Sequence, residues 1–143
     1  MPVRVLTVDD QAPFREVARE LVDVTPGFAA VGEAESGEEA LALTRSVAPD
    51  LVLLDLRMSG MDGLETARRL SAEHPRAVIV LVSCEDMRGM SVLAESCGAA
   101  EVLPKQRLSS RVLRRLWSDH RPRAGDPGDA GDPGDAGDPG DAG

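Results

Sequence analysis

The sequence has no tyrosine, only two cysteines, and only two Phe and one Trp among its 143 residues. Two cysteines without metal-type spacing do not make a disulfide scaffold. No apolar run approaches the roughly 20 residues of a membrane helix, and the N-terminus lacks a signal-peptide pattern. These absences lead us to expect a cytoplasmic protein of one domain, with a core of Leu, Val and Ala.

Acidic charge is concentrated near the C-terminus. The formal net charge is −9, but residues 124–143 contribute six Asp and no Lys or Arg, within Gly-Asp-Pro and Gly-Asp-Ala repeats. Such a composition cannot bury a core, so we expect residues 1–121 to form the domain and residues 122–143 to be a disordered acidic tail. Gly at every third position also fits the collagen rule, but a triple helix would gather Asp residues without any cation, which favours a flexible tail.

Short apolar runs alternate with amphipathic stretches along the rest of the chain. The runs predict strands at residues 3–8, 28–31, 51–54, 78–82 and 102–103. Their solid apolar character is typical of strands buried on both faces. Five βα units predict an α/β fold with a five-stranded parallel sheet that is doubly wound, with helices on both faces. We take the strand order 2-1-3-4-5 from flavodoxin-like folds, since alternation alone does not fix it.

Helical spacing and capping signals mark the five helices. Pro13 suits a first turn, Ser36 and Glu39 form a capping box, and Gly98 suits a left-handed stop. The predicted inner faces are Phe14, Val17, Ala18, Leu21 and Val22; Ala40, Leu43 and Val47; Leu64, Ala67 and Leu70; Met90, Leu93, Ala94 and Cys97; and Leu108, Val112 and Leu116.

Three acidic residues follow or end strands that are neighbours in this order. Asp9 and Asp10 end the first strand and Asp55 ends the third, so all three face the crevice where open α/β sheets bind ligands. Close carboxylates repel one another unless a cation compensates, and Mg²⁺ suits few carboxylates with phosphate and water. No His or Cys accompanies them, which argues against zinc. Either Asp9 or Asp10 alone would more often cap a helix, but the set of three indicates a functional site.

Ser83 and Lys105 end or follow the fourth and fifth strands. A hydroxyl can donate to a phosphoryl oxygen, and an ammonium can neutralise its charge. Each residue alone is compatible with an ordinary turn serine or a solvated lysine. Together with the acids, they predict a polar cluster that converges on one place.

These segments resemble the receiver domains of two-component response regulators. The resemblance covers about residues 3–117 and is carried by residues 5–10, 53–63, 81–83 and 98–105. It implies that Asp55 accepts a phosphoryl group from the phosphohistidine of a histidine kinase or a phosphotransfer protein. Ser83 and Lys105 would contact the phosphoryl oxygens, and Lys105 would pair with Asp55 before transfer. The protein would assist its own phosphorylation and slow hydrolysis without being an enzyme in the usual sense.

The resemblance also implies a metal site. Asp10, Asp55 and the backbone carbonyl of Arg57 would hold Mg²⁺ directly. Asp9 would act mainly through a metal-bound water.

Three positions depart from the family pattern. Val102 stands where an aromatic switch residue is usual, which puts coupling to an output face in doubt while leaving the chemistry at Asp55 intact. Ser59 replaces a usual Pro and Cys84 a smaller residue, with little expected consequence. No motif of a second domain follows, so we expect a stand-alone receiver that acts by phosphorelay or on an unknown downstream protein.

Two other functions stay open from the residues. A pseudo-receiver would bind proteins independently of phosphorylation, which Val102 favours, although every position for phosphoryl chemistry is filled. A flavodoxin-like cofactor binder would need a phosphate-friendly loop after the first strand, whereas Asp9 and Asp10 repel phosphate without a metal.

Direct DNA binding and membrane association are not expected. The last helix and its exit carry Arg107, Arg111, Arg114, Arg115, Arg121 and Arg123. A broad basic footprint is lacking, which favours a solvated helix face over a nucleic-acid surface. The opposite charges lead to the hypothesis that the acidic tail lies loosely on this helix. For a homodimer, helix 4, strand 5 and helix 5 form the face that the family suggests.

Overall fold

Strands and helices alternate along the whole of the computed structural model, which describes residues 1–84 and 90–122. The strands are β1 (Val3–Val8), β2 (Phe28–Ala34), β3 (Leu51–Asp55), β4 (Val78–Ser83) and β5 (Glu101–Pro104). The helices are α1 (Ala12–Asp23), α2 (Gly37–Val47), α3 (Gly63–Glu73), α4 (Met90–Ser96) and α5 (Ser110–His120), with a 3₁₀ turn at Lys105–Arg107. The disorder predicted for the acidic tail falls almost entirely outside the described residues.

All strand pairs are parallel and the sheet order is β2-β1-β3-β4-β5. The predicted fold class and strand order are therefore confirmed. β2 runs three residues beyond the predicted end at Val31, because Gly32, Glu33 and Ala34 continue the ladder opposite β1. No helix within the described ranges is long and apolar enough to cross a bilayer.

The sheet separates two apolar layers. Leu6, Leu54 and Leu81 point to the side covered by α2, α3 and α4, whereas Leu53 and Val80 point to the side covered by α1 and α5. Alternate residues of a strand face opposite sides, so a doubly covered strand must be apolar throughout. This explains why all five residues of β3 and all six of β4 are buried.

Helix ends follow the predicted signals closely. Pro13 lies in the first turn of α1, and Gly98 has a φ of +89°, in the left-handed region. Ser36 accepts a hydrogen bond from the Glu39 amide at 3.1 Å. In return, the Glu39 carboxylate accepts from the Glu35 amide at 2.6 Å, one residue earlier than a standard capping box places it.

One predicted inner residue is misplaced. Val17 is 58 % exposed, although its spacing from Phe14 and Leu21 puts it at the edge of the apolar stripe of α1. The buried side of α1 is centred on Ala18 and Val22, and the stripe is one residue narrower than predicted. The side chains of Met90 and Leu93, predicted for the inner face of α4, lie outside the described residues.

Gly63 is the point where α3 begins against the end of β3. Its amide donates to the Leu56 carbonyl at 3.0 Å, and a Cβ there would lie 2.4 Å from the Asp55 carbonyl oxygen and 2.7 Å from Leu56 Cα. Backbone atoms cannot rotate away, so we expect Gly63→Ala to destabilise the fold by about 3 kcal/mol, at the upper end of overpacking costs.

Urea unfolding would measure this loss, with Gly32→Ala as the matched control. At Gly32 a Cβ meets only the Leu43 side chain at 3.2 Å and that of Leu6 at 3.4 Å, and these side chains can adjust. The control should lose less than about 1 kcal/mol. Equal free energies of unfolding for the two variants would contradict the close backbone approach.

Candidate functional site

The carboxyl ends of four strands carry the polar side chains singled out in the sequence. Asp55 is the last residue of β3 and pairs with Val82, one residue before Ser83. Ser83 in turn pairs with Pro104 at the end of β5, and Lys105 follows immediately. Asp9 follows β1, which lies beside β3. The parallel register thus brings all of these positions to one edge of the sheet.

Three carboxylates meet at this edge. One oxygen from each of Asp9, Asp10 and Asp55 lies within 4.8 Å of the other two. Asp9 is fully buried and Asp55 is 5 % exposed, whereas Asp10 faces solvent. The predicted meeting of the three acids is therefore present in the structure, with one solvent-facing member.

Lys105 is the cation of this cluster. Its Nζ lies 2.6 Å from Asp9 Oδ2 and 3.7 Å from Asp55 Oδ1, so the closer partner is Asp9 and not the Asp55 that the resemblance implied. The ammonium also lies 4.5 Å from the centre of the Phe14 ring, where the π face attracts a cation. Its side chain is only 12 % exposed, so Lys105 is held by two acids and a ring.

The arrangement changes the acidity of Asp55. Burial and the Asp9 carboxylate raise the pKa of Asp55 from 3.8 to about 6, against the opposing effects of Lys105 and the Arg57 amide. For Lys105, burial lowers the pKa, but the contacts with Asp9 and Asp55 outweigh it and hold the pKa above its ordinary value. Asp55 is thus a carboxylate whose charge the fold only partly compensates.

The cluster fits a hard divalent cation. Asp9 Oδ2 is buried, and its ion pair with the Lys105 ammonium at 2.6 Å is the one contact with a donor that it makes among the described residues. Three carboxylates face one ammonium, which leaves an excess of negative charge. All the available ligand atoms are oxygens, the type that Mg²⁺ prefers.

Comparison with known proteins agrees with this geometry. The family described as "Response regulator receiver domain" matches residues 5–116. The chain belongs to this family. The match runs from within β1 to within α5, and therefore includes at least part of every strand of the sheet.

Curated relatives contain this receiver as part of longer chains. A protein-glutamate methylesterase/protein-glutamine glutaminase 5 of Anaeromyxobacter dehalogenans is 40 % identical over 111 residues, which are 77 % of this chain and 31 % of the relative. The nitrate/nitrite response regulator protein NarL of Escherichia coli K12 is 35 % identical over 125 residues, 87 % of this chain and 56 % of that protein. The chain thus spans about a third to about half of these relatives.

Solved structures show the same fold. The two-component response regulator of the LuxR family from Aurantimonas superposes with a TM-score of 0.77 at 27 % identity, covering 88 % of this chain and 92 % of the other. The response regulator domain of Thermotoga maritima CheB gives a TM-score of 0.74 at 24 % identity, over 82 % and 96 % of the two chains.

Backbone amides position the acids of the receiver. The Gln11 amide donates to Asp9 Oδ1 at 2.8 Å, and the Arg57 amide donates to Asp55 Oδ1 at 3.3 Å. The Ser59 amide approaches Asp10 Oδ2 at 3.4 Å. Each bond comes from a loop that follows a strand, so the backbone amides of the loops β1–α1 and β3–α3 orient the acids in addition to the Lys105 ammonium.

An open groove lies beside the acids on the α3 side of the receiver. It is lined by Asp10, Leu56, Arg57, Met58, Ser59, Asp62 and Leu64. Asp62 has a separate role, because its side chain accepts from the Glu65 amide at 2.9 Å and caps α3. The groove gives solvent a path to the acidic edge.

Two residues that support the receiver site were not predicted from the sequence as site residues. Arg15 donates from Nη1 to the Asp9 carbonyl at 2.7 Å and pairs with Glu33 of β2 at 3.3 Å. Phe14, assigned only to the core, also lies against Lys105. Their position in the first turn of α1, directly after the acids, is the one signal that pointed to them.

The three departures from the family pattern occupy different environments. Val102 is half-buried and packs against the core on the α4 side. Cys84 is exposed next to buried Ser83, and neither Cys84 nor Cys97 forms a disulfide. Ser59 lies in the groove and offers its amide to Asp10, a bond that a Pro at this position could not donate.

Proposed function

We propose that Asp55 accepts a phosphoryl group from the phosphohistidine of a histidine kinase or a phosphotransfer protein, with Mg²⁺ bound. The single observation that supports this is the convergence of Asp9, Asp10 and Asp55 on one sheet edge, with Lys105 against two of them. Signalling would then proceed by protein contact or by phosphorelay. The phosphoryl group would be lost slowly by hydrolysis.

Asp55 has the properties of the nucleophile in this proposal. With a pKa of about 6, it is predominantly ionised at neutral pH. Its carboxylate oxygen attacks phosphorus, the phosphorus–nitrogen bond breaks, and the electron pair leaves with the donor imidazole. Lys105 and the Ser83 hydroxyl neutralise charge on the phosphoryl oxygens, which is the main demand of phosphoryl transfer.

The metal ligands in this proposal are Asp10, Asp55 and the Arg57 carbonyl, with Asp9 acting through a water. When bound, Mg²⁺ supplies positive charge next to the phosphoryl oxygens. Asp10 is the exposed member of the cluster, so the residues that would hold the cation are open to solvent on the groove side. Lys105 lies on the buried side, within reach of both Asp9 and Asp55.

Intact mass spectrometry tests the proposal. Incubation with Mg²⁺ and phosphoramidate should add one phosphoryl group to the wild-type chain, and omission of Mg²⁺ or the change Asp55→Asn should abolish the gain. Asp62→Asn is the matched control, because Asp62 lines the same groove but caps α3. An equal mass gain in Asp55→Asn, or none in the wild type, would reject Asp55 as the acceptor.

A pseudo-receiver is the second candidate function. Val102 favours it, because a valine cannot make the large ring rotation of an aromatic switch residue. The mass experiment distinguishes the two, since a pseudo-receiver would show no gain. For either function we propose a cytoplasmic protein with residues 1–121 as the receiver and no direct contact to DNA. The surface of α4, β5 and α5 is its proposed dimer face.

A further inference from the structure

Helix α5 carries two kinds of arginine. Arg115 pairs with Glu101 at 2.7 Å and with Asp119 at 3.2 Å, and His120 also contacts Glu101 at 2.8 Å. The charge of Arg115 is therefore balanced by Glu101 of β5 and by Asp119 of the same helix. The hydrogen bond from Arg115 also lowers the pKa of Glu101 below its ordinary value, despite the partial burial of this carboxylate.

Four other arginines, on α5 and at its two ends, have no acidic partner among the described residues. We call Arg107, Arg111, Arg114 and Arg121 the arginine stripe; all four are exposed. None of their side chains has an ion pair or a hydrogen bond in the part of the chain that the structure describes. Arg111 and Arg114 are three residues apart on α5 and share a helix face, whereas Arg107 ends the 3₁₀ turn before the helix and Arg121 follows its last residue. Four unbalanced charges on and beside one helix make a surface that attracts polyanions.

We infer that the arginine stripe binds the acidic tail of the same chain. The tail supplies six Asp and no Lys or Arg after Arg123, while the domain otherwise has few acids on this helix. α5 ends at His120 and the backbone at Arg121 is extended. The tail therefore begins at the C-terminal end of the stripe itself.

The length of the tail is sufficient. α5 has 11 residues and is about 16 Å long at 1.5 Å per residue. The 21 residues after Pro122 reach up to about 65 Å at the polyproline II rise of 3.1 Å. After turning back, the tail can therefore run along the full stripe to Arg107.

The interaction is weak per contact and depends on salt. Exposed ion pairs contribute little individually, but a tethered segment has an effective concentration in the millimolar range. Screening at high ionic strength removes the attraction. The tail would therefore cover the stripe at low salt and release it to a stronger acidic partner or to salt.

Competition with a labelled probe tests the inference in the full-length chain. We expect a fluorescent hexa-aspartate peptide to bind a variant with all six tail Asp changed to Asn at least about tenfold more tightly than the wild type in low salt, because the tethered tail competes. In ~500 mM NaCl the two chains should not differ. The exchanged residues are Asp126, Asp129, Asp132, Asp135, Asp138 and Asp141.

A second set of changes tests where the peptide binds. They are made in the tail-neutralised chain, the variant in which all six tail Asp are changed to Asn. Arg111→Gln with Arg114→Gln should abolish binding of the peptide, whereas Arg115→Gln, which removes a charge already paired with Glu101 and Asp119, should leave it within twofold. Outside the substituted tail, amide ¹H–¹⁵N spectra of wild-type and tail-neutralised chains should differ at low salt only around residues 107–121. Unchanged signals throughout residues 1–122 and equal peptide affinities in low salt would overturn the inference.

Nucleic acid is the alternative occupant of the stripe. A labelled DNA duplex tests it by fluorescence anisotropy with the same set of chains. Binding of the duplex by the wild type that is unaffected by tail neutralisation, but lost in Arg111→Gln with Arg114→Gln, would show that the stripe is open and that the tail does not occupy it. We expect no such binding from the wild-type chain.

Discussion

Asp55→Asn is expected to raise the free energy of unfolding of the metal-free protein by about 2 kcal/mol at pH 8. The folded protein holds the Asp55 carboxylate in a buried place beside Asp9, which raises its pKa from 3.8 to about 6. The raised pKa means that ionisation of Asp55 costs free energy in the folded state. An Asn of nearly the same shape avoids the cost, and our figure lies below the full conversion of the shift because the site is open to water at Asp10.

The sign of the pH dependence follows from the same shift. Because the folded state binds the Asp55 proton more tightly than the unfolded state, the wild type loses stability as the pH rises from about 4 to about 6. The variant lacks this group, so its advantage should be full above pH 7 and should shrink as the pH falls through 6 toward 4.

Chemical denaturation between pH 4 and pH 8 in the presence of EDTA measures the effect, with the exposed Asp23→Asn as control. Millimolar Mg²⁺ should make the wild type more stable than the variant at pH 8. The wild type gains the free energy of Mg²⁺ binding, whereas the variant lacks the Asp55 carboxylate as a metal ligand. An advantage of the variant that is independent of pH would refute the assignment to Asp55 ionisation.

Lys105→Met is expected to have the opposite effect, a loss of about 3 kcal/mol at pH 8 without metal. Met keeps the apolar part of the side chain but leaves the buried Asp9 and Asp55 carboxylates without their cation, which now lies 2.6 Å and 3.7 Å away. The attraction to the Phe14 ring is lost as well. Lys105→Arg keeps the charge and should lose much less.

Coupling between the two positions separates charge from packing. In the Asp55→Asn background one of the two carboxylates is already neutral, so Lys105→Met should cost at least about 1 kcal/mol less than in the wild type. Urea unfolding of the four chains of the double-mutant cycle measures this coupling free energy. Additive losses would mean that the Lys105 ammonium does not stabilise the Asp55 carboxylate, and that its effect comes from Asp9 and the Phe14 ring.

The positions of the site residues were predictable because they follow from strand periodicity. Asp9, Asp55, Ser83 and Lys105 each stand where a solid apolar run stops, and parallel strands put such ends on one edge. The strand order itself came from comparison with a known fold. Hydrophobic alternation gives no information about which strands are neighbours.

Contacts across elements were not predictable in the same way. The closer pairing of Lys105 with Asp9 depends on side-chain conformation and on the depth at which Asp9 is buried, neither of which appears in a local pattern. Arg15 reaches Asp9 and Glu33 only because β2 lies beside β1. Val17 was misassigned because a residue at the border of an apolar stripe has the correct spacing for either environment.

Lys105 begins the 3₁₀ turn that joins β5 to α5. If its ammonium closed on Asp55 as tightly as it now holds Asp9, it would travel about 1 Å, from 3.7 Å to 2.6 Å. The flexible stem of the lysine side chain can supply that travel while the main chain at residue 105 stays in place. An exchange of partners by this ammonium therefore requires no displacement of the last helix.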